Sequence, residues 1–148
     1  MLKNKKKKII LIGSNPNDFL DCTLEAVDIL RISHCVIISK KFDKKFFNFF
    51  KENSIKYILE ESLSVKKGTH LWKKILDLFS IYKSLVHIIS GDTFLFSNCK
   101  DEKKFLEKNH VLVERLPAII EITNILNSQK IFLTNRKKNS SVTFLNKF

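Results

Sequence analysis

The sequence predicts an α/β domain, three layers deep, around a mostly parallel five-stranded sheet. Short β-branched runs recur along its 148 residues and are bounded by glycine and polar turn residues. Between the runs lie segments whose apolar residues return at helical spacing. The first run is continuously apolar rather than alternating, the pattern of a strand covered on both faces. Strands that alternate with helices join through right-handed crossovers, which makes the sheet parallel.

Taken in order, Lys8 to Gly13 (KIILIG) is the first strand, and Ser14 to Phe19 (SNPNDF) is loop chemistry. A helix follows from about Asp21, with Leu24, Val27, Leu30 and Arg31 at helical spacing. Cys35 to Ser39 is the second strand, and Asp43 to Glu52 a short helix with Phe46, Phe47 and Phe50 turned inward. Ile55 to Leu59 is the third strand, and Ser62 to Gly68 an ordered polar loop. Thr69 can cap a helix to about Tyr82, striped by Leu71, Trp72, Ile75, Leu78, Phe79 and Tyr82. The fourth strand, Leu85 to Ile89, is stopped by Ser90-Gly91-Asp92. Asp101 to Lys108 reads as helix, Val111 to Arg115 as the fifth strand, and Pro117 suits the first turn of a helix reaching Asn127. Ser141 to Leu145 is a last extended piece, and no internal repeat is visible.

A formal charge of +12 invites a nucleic-acid reading. Lysine, however, outnumbers arginine 24 to 3 and alanine occurs twice, the bias of an AT-rich coding sequence. Five of the lysines fall in the first eight residues, a solvated tail. Phosphate recognition recruits arginine forks and aromatic platforms, which this pattern lacks. A basic surface equally attracts an acidic small molecule. No apolar run reaches the roughly eighteen residues of a spanning helix. The Lys3 to Lys8 run resembles a signal n-region, but Ile9 to Ile12 is too short for the apolar segment that should follow, so the cytoplasm is expected. Cys22, Cys35 and Cys99, and likewise His34, His70, His87 and His110, are scattered, so neither a disulfide framework nor a metal site is predicted.

Ligands of parallel sheets gather beyond the carboxyl ends of the strands, which singles out the loops after Gly13 and after Ile89. Gly13-Ser14-Asn15-Pro16-Asn17-Asp18 is a small-residue turn that lacks the further glycines of a dinucleotide fingerprint and the G-K-[ST] of a P-loop. Ser90-Gly91-Asp92-Thr93-Phe94-Leu95-Phe96 places a glycine and then a carboxylate at the sheet edge, where Asp92 serves either a ligand or a turn. Phe94 and Phe96 alternate, so that one packs below while the other faces a cleft.

In this order the motifs resemble the N-terminal half of the tetrapyrrole methylases. IILIGSNPNDFLDCTLEAVDIL is similar to the family's opening strand, its Gly-x-Gly-Pro-Gly-Asp loop and its Leu-Thr-Leu helix, with Gly13, Pro16, Asp18, Thr23 and Leu24 on the pattern. Gly91 to Phe96 resembles Gly-Asp-Pro-Phe-x-Phe, followed at the right distance by Glu102. Val113 to Pro117 sits where the family has Val-Pro-Gly. Phe132 to Arg136 and Ser141 to Phe144 resemble Pro-Leu-Thr-His-Arg and the Ser-Val-Thr-Phe strand that opens the second domain.

The resemblance implies a Rossmann-like N-terminal domain over 9–130 behind a basic tail at 1–8. It makes 131–148 a linker and the first strand of a second domain. It implies S-adenosyl-L-methionine held by Gly13, Pro16, Gly91, Asp92 and Leu95, with Pro16 on the cleft floor. The implied reaction moves methyl groups to C-2 and C-7 of uroporphyrinogen III, giving precorrin-2 on the way to sirohaem or cobalamin. Its anionic tetrapyrrole substrate would suit a basic cleft. A homodimer, or another chain supplying the second domain, would be the partner. Two departures fall on the chemistry: the family's proton-transfer aspartate is Ser39 here, and its substrate arginine is Asn98. Asn15, Asn17 and Ser90 replace loop glycines, and Ala118 replaces the glycine after Pro117. No catalytic residue is therefore carried over, and a non-catalytic Rossmann-like module that partners another subunit is the rival reading.

Overall fold

The computed structural model describes residues 7–95, 99–132, 134, 137 and 141–143. Five strands, β1 (Lys8–Ser14), β2 (Val36–Ile38), β3 (Tyr57–Leu59), β4 (Ser84–Ser90) and β5 (Leu112–Leu116), form one sheet in the order β3-β2-β4-β1-β5. Every pairing between them is parallel. Six α-helices accompany them: α1 (Leu24–Ile32), α2 (Lys44–Glu52), α3 (Glu60–Leu63), α4 (Thr69–Leu78), α5 (Cys99–Lys108) and α6 (Glu121–Ser128).

The continuous apolar runs are buried on both faces because successive side chains of β1 point to opposite sides. Ile10 and Ile12 meet Ala26 and Leu30 of α1 and Phe46, Phe49 and Phe50 of α2. Ile9 and Leu11 meet Leu71 and Ile75 of α4 and Leu106 of α5. The three layers are thus α1 and α2, the sheet, and α4 and α5.

Several elements depart from expectation for identifiable reasons. Leu24 starts α1 and is exposed, while Ala26 takes the buried place beside the sheet. In α2 the inward set is Phe46, Phe49 and Phe50, and Phe47 lies half-buried with its ring 5.5 Å from that of Tyr57. Thr69 makes no capping bond; Gly68, with φ at 69°, holds the cap position of α4, and the helix ends at Leu78 rather than Tyr82. The predicted polar loop begins earlier as a helical turn, α3, which has no apolar periodicity and is anchored through Glu60 and Glu61. Pro117 does not start a helix, because the Ala118 N–H is drawn 2.8 Å to Asp92 Oδ2, and α6 begins at Glu121. The extended piece expected at Ser141 to Leu145 lies partly outside the described residues, and 141–143 carry no strand.

Strand order decides where a ligand can bind. From β1 the chain passes by way of α1, on one face, to β2. From β4 it passes by way of α5, on the other face, to β5. Adjacent strands that send their chains to opposite faces leave a crevice at their carboxyl ends. Gly13 closes the base of that crevice: a Cβ there would lie 2.5 Å from the Gly91 carbonyl and 2.9 Å from the Ala118 methyl. The substitution Gly13→Ala should therefore cost about 1–3 kcal/mol in urea unfolding, the usual range for overpacking. A Gly13→Ala variant as stable as the wild type would show that the two loops do not approach this closely.

Candidate functional site

The two loops singled out from the sequence meet. Beyond the parallel register, Gly91 N–H donates to the Ser14 carbonyl at 2.9 Å, extending the β1–β4 contact by one antiparallel bridge. Gly91 has φ at 85°, a left-handed conformation that favours glycine, and its Cβ direction faces open space. Asp92 folds the second loop: Oδ1 accepts from Phe94 N–H at 2.7 Å and Leu95 N–H at 3.0 Å, while Oδ2 holds Ala118 N–H. Both oxygens of its carboxylate thus accept from backbone N–H groups, as those of a turn residue do. Thr93 is buried and donates to the Leu116 carbonyl at 2.9 Å. Phe94 is exposed, with the Arg115 guanidinium 4.1 Å from its ring centre. Phe96, like Asn98, lies outside the described residues.

The first loop is held by its own side chains. Asn15 Oδ1 accepts from Asn17 N–H, and Asn15 Nδ2 donates to Asp21 at 2.6 Å. Neither asparagine takes a positive φ, so the turn survives without the glycines' conformation. The Pro16 carbonyl accepts from Asp43 N–H at 2.7 Å, fixing the loop to the start of α2.

Beside these loops lies a cavity of about 590 Å³. Pro16 and Asn17 line it from the first loop, Ser39 and Lys41 from beyond β2, and Lys67 and Trp72 from α4 and its approach. Its floor is a buried hydrogen-bonded chain that no sequence spacing reveals. His87 of β4 turns Nδ1 to Glu102 of α5 at 2.7 Å and Nε2 to Glu60 of α3 at 3.0 Å, and Lys67 pairs with the other oxygen of Glu60. Glu60, His87 and Glu102 are only 7%, 3% and 4% exposed, so none of the three can turn to water instead. One imidazole thus ties the elements after β3 and β4 to the sheet. In the sequence His87 looks like one scattered histidine, and only the three-dimensional fold brings its partners within reach.

At the end of β2, where the family pattern calls for an aspartate, Ser39 donates to Glu61 Oε1 at 2.6 Å, and Lys40 N–H donates to Oε2 at 3.0 Å. Partial burial pushes the Glu61 pKa up, but the Ser39 hydroxyl, backbone N–H groups and the Lys40 charge outweigh it, so the carboxyl is held below its ordinary 4.5. A carboxylate is therefore present at this edge although Ser39 carries none.

No protein-family model matches the chain. It is 24% identical over 143 residues to the uroporphyrinogen-III C-methyltransferase of Methanocaldococcus jannaschii, a match covering 92% of this chain and 57% of that one. Among solved structures, a uroporphyrin-III C-methyltransferase from Thermus thermophilus aligns with a TM-score of 0.67 at 21% identity, over 87% of this chain and 54% of that one. A cobalt precorrin-4 methyltransferase aligns at 0.74 and 16% identity, over 88% and 54%. The fold is that of the tetrapyrrole methyltransferases. The chain spans about half the length of the relatives it matches.

On this fold, the sequence-predicted residues separate. Pro16 lines the cavity directly, and Gly91 borders open space at the crevice. Gly13 is consumed by close packing, while Asp92 and Leu95 shape the second loop. Replacing His87 by Leu strands two buried carboxylates, and should cost about 3–5 kcal/mol of unfolding free energy, with part regained in the triple variant that also carries Glu60→Gln and Glu102→Gln. The Glu61 carboxyl gives a second test. Because it is held low in the folded state, its contribution is fully present above its unfolded value and is lost as pH falls through the folded one. Denaturation of the wild type and Glu61→Gln should thus differ by a constant amount above about pH 6 and converge in acid, below the folded value. A gap that widens on acidification would refute the assignment.

Proposed function

We propose that this chain is part of an S-adenosylmethionine-dependent tetrapyrrole methyltransferase of the uroporphyrinogen-III type, serving precorrin-2 formation for sirohaem or cobalamin. The observation that carries the reading is the convergence of the Ser14 and Gly91 loops at the β1–β4 crevice, beside a cavity of about 590 Å³. That volume lies within the range of small-molecule sites. One Thermus thermophilus structure with this fold is a complex with S-adenyl homocysteine, aligning with a TM-score of 0.67 over 87% of this chain.

The residues present fit a methyl donor from one side. Pro16 and Ser90 line the cavity, and the open space at Gly91 admits close approach of backbone to a ligand. When bound, the donor supplies a methyl group on a positively charged sulfur. The protein's part is positional: Asp92 fixes the loop that carries Gly91 and Leu95, and Asn15 and Asp43 fix the loop that carries Pro16. Glu61, oriented by Ser39 and Lys40, is the carboxylate at the end of β2 for the proton that leaves the substrate. Its support comes from place and protonation, since it is ionised at neutral pH.

Calorimetric titration of the chain with S-adenosylhomocysteine should give saturable heat. Glu61→Gln should leave that binding unchanged and slow methyl transfer about 10²–10⁴-fold, the usual worth of a general base. Absence of heat at millimolar ligand, with the chain folded and a second chain supplied, would defeat the reading.

A second reading, a non-catalytic module that pairs with another subunit, draws support from the α6 region. Ile119, Ile122 and Ile125 are there 41%, 43% and 53% exposed, more apolar surface than one short helix usually shows to water. Light scattering separates the two: partner binding without any affinity for S-adenosylhomocysteine would favour the module.

A further inference from the structure

The short turn α3 carries two successive carboxylates that reach different strands of the sheet. Glu60 is the only buried residue of its four, and its Oε1 lies 3.0 Å from Nε2 of His87 on β4. Glu61 turns the other way, to the Ser39 hydroxyl and the Lys40 N–H at the end of β2. The two strands are neighbours, with Ile37 of β2 in register with His87. His87 cannot follow a moving partner, because Glu102 holds its Nδ1 at 2.7 Å and the residue is 3% exposed. Four residues are too few for a helix to stand alone, and no side chain caps this one. Leu63 packs against the core from the far end of the turn, which fixes its position and leaves its rotation open. A buried carboxylate that loses its donor bears the full cost of desolvation, so the Glu60–His87 bond decides that rotation. Glu61, one residue on and roughly 100° further round, is carried with it.

We propose that His87, acting through Glu60, is the positioning residue for Glu61: it sets the rotation of α3 and so keeps the Glu61 carboxylate on Ser39 and Lys40. The inference rests on the proposed function for what that carboxylate does, and on the geometry alone for how it is held. Lys67 is not the anchor. It pairs with the other oxygen of Glu60, but its side chain is 58% exposed and moves with its partner. Ser39 and Lys40 are not the anchor either, since Glu61 is only half-buried and water can replace their bonds, whereas Glu60 has no such substitute.

Carboxyl-carbon NMR of the full chain reads the Glu61 titration directly. In the wild type it should fall below the ordinary 4.5, as the Ser39 and Lys40 donors require. Glu60→Leu leaves His87 and Glu102 as a matched buried pair, and should raise the Glu61 value toward 4.5. Glu60→Asp, one methylene shorter, should move it the same way and serves where the leucine variant does not fold. Glu60→Gln keeps an acceptor for His87 Nε2 and should leave the titration in place. Leu30→Ala opens a cavity on the opposite face of the sheet, and should destabilise the chain without moving Glu61. An unmoved Glu61 titration in the folded Glu60→Leu or Glu60→Asp chain overturns the proposal, as does an equal rise in Leu30→Ala. Methyl transfer to uroporphyrinogen III, with a second chain supplied, gives an independent readout. Glu60→Leu should lower kcat about 10²-fold, the cost of an ångström's misplacement, and should cost nothing further in the Glu61→Gln background. Losses that multiply in the double variant overturn the positioning. A moved titration with Glu61→Gln at full rate instead overturns the role given to Glu61 under the proposed function, and leaves its positioning standing.

Discussion

Seven residues of parallel pairing between β1 and β4, Lys8 with Ser84 through Ser14 with Ser90, determine everything at the functional edge. The two strands are neighbours, yet their chains leave toward opposite faces of the sheet. The register delivers Gly13 opposite Ile89, and from there the Ser14–Gly91 hydrogen bond follows almost by continuation. Any side chain at position 13 would push against the Gly91 carbonyl. The crevice therefore depends on a backbone-to-backbone contact, and its glycine serves that contact before it can serve a ligand.

The strands are legible because burial on both faces leaves a mark that needs no partner to be read: Ile9 to Ile12, Val36 to Ile38 and Leu85 to Val86 are apolar without interruption. Parallel order and three layers follow from alternation alone. Helix edges are less legible. Sequence places the start of α6 too early because the Ala118 N–H is claimed by Asp92, which is 26 residues away. The α3 turn escapes notice because tertiary bonds, and not its own periodicity, hold it in place. Of the site, the two loops can be named from their small residues and the strand ends. The buried Glu60–His87–Glu102 chain cannot, since its members stand 27 and 15 residues apart and no local spacing marks them.

Ser39 shows how an uncharged residue can place a carboxylate at the sheet edge. A serine at the end of β2 looks like the loss of a carboxylate. In the fold its hydroxyl is a donor to Glu61, 22 residues later, and the Lys40 N–H takes the second oxygen. That glutamate reaches the end of β2 from α3. The serine hydroxyl and the Lys40 N–H together favour the charged form of Glu61 against the cost of partial burial.

Scarcity of glycine changes how the loops achieve their shape. With three glycines in the whole sequence, the first loop relies on side-chain bonds where flexible backbone would otherwise serve. Asn15 reaches Asp21, and Asp21 also accepts from Asn124 of α6 at 2.8 Å. The Pro16 loop is thereby coupled to α6 through one carboxylate, and to α2 through Asp43. A loop fixed at several points loses little further freedom when a ligand arrives, so less of the binding free energy goes to ordering it. The constraint reaches beyond the loop: Asn124 of α6 and Asn15 of the loop share the Asp21 carboxylate, so the position of α6 and that of the crevice wall are tied through one side chain.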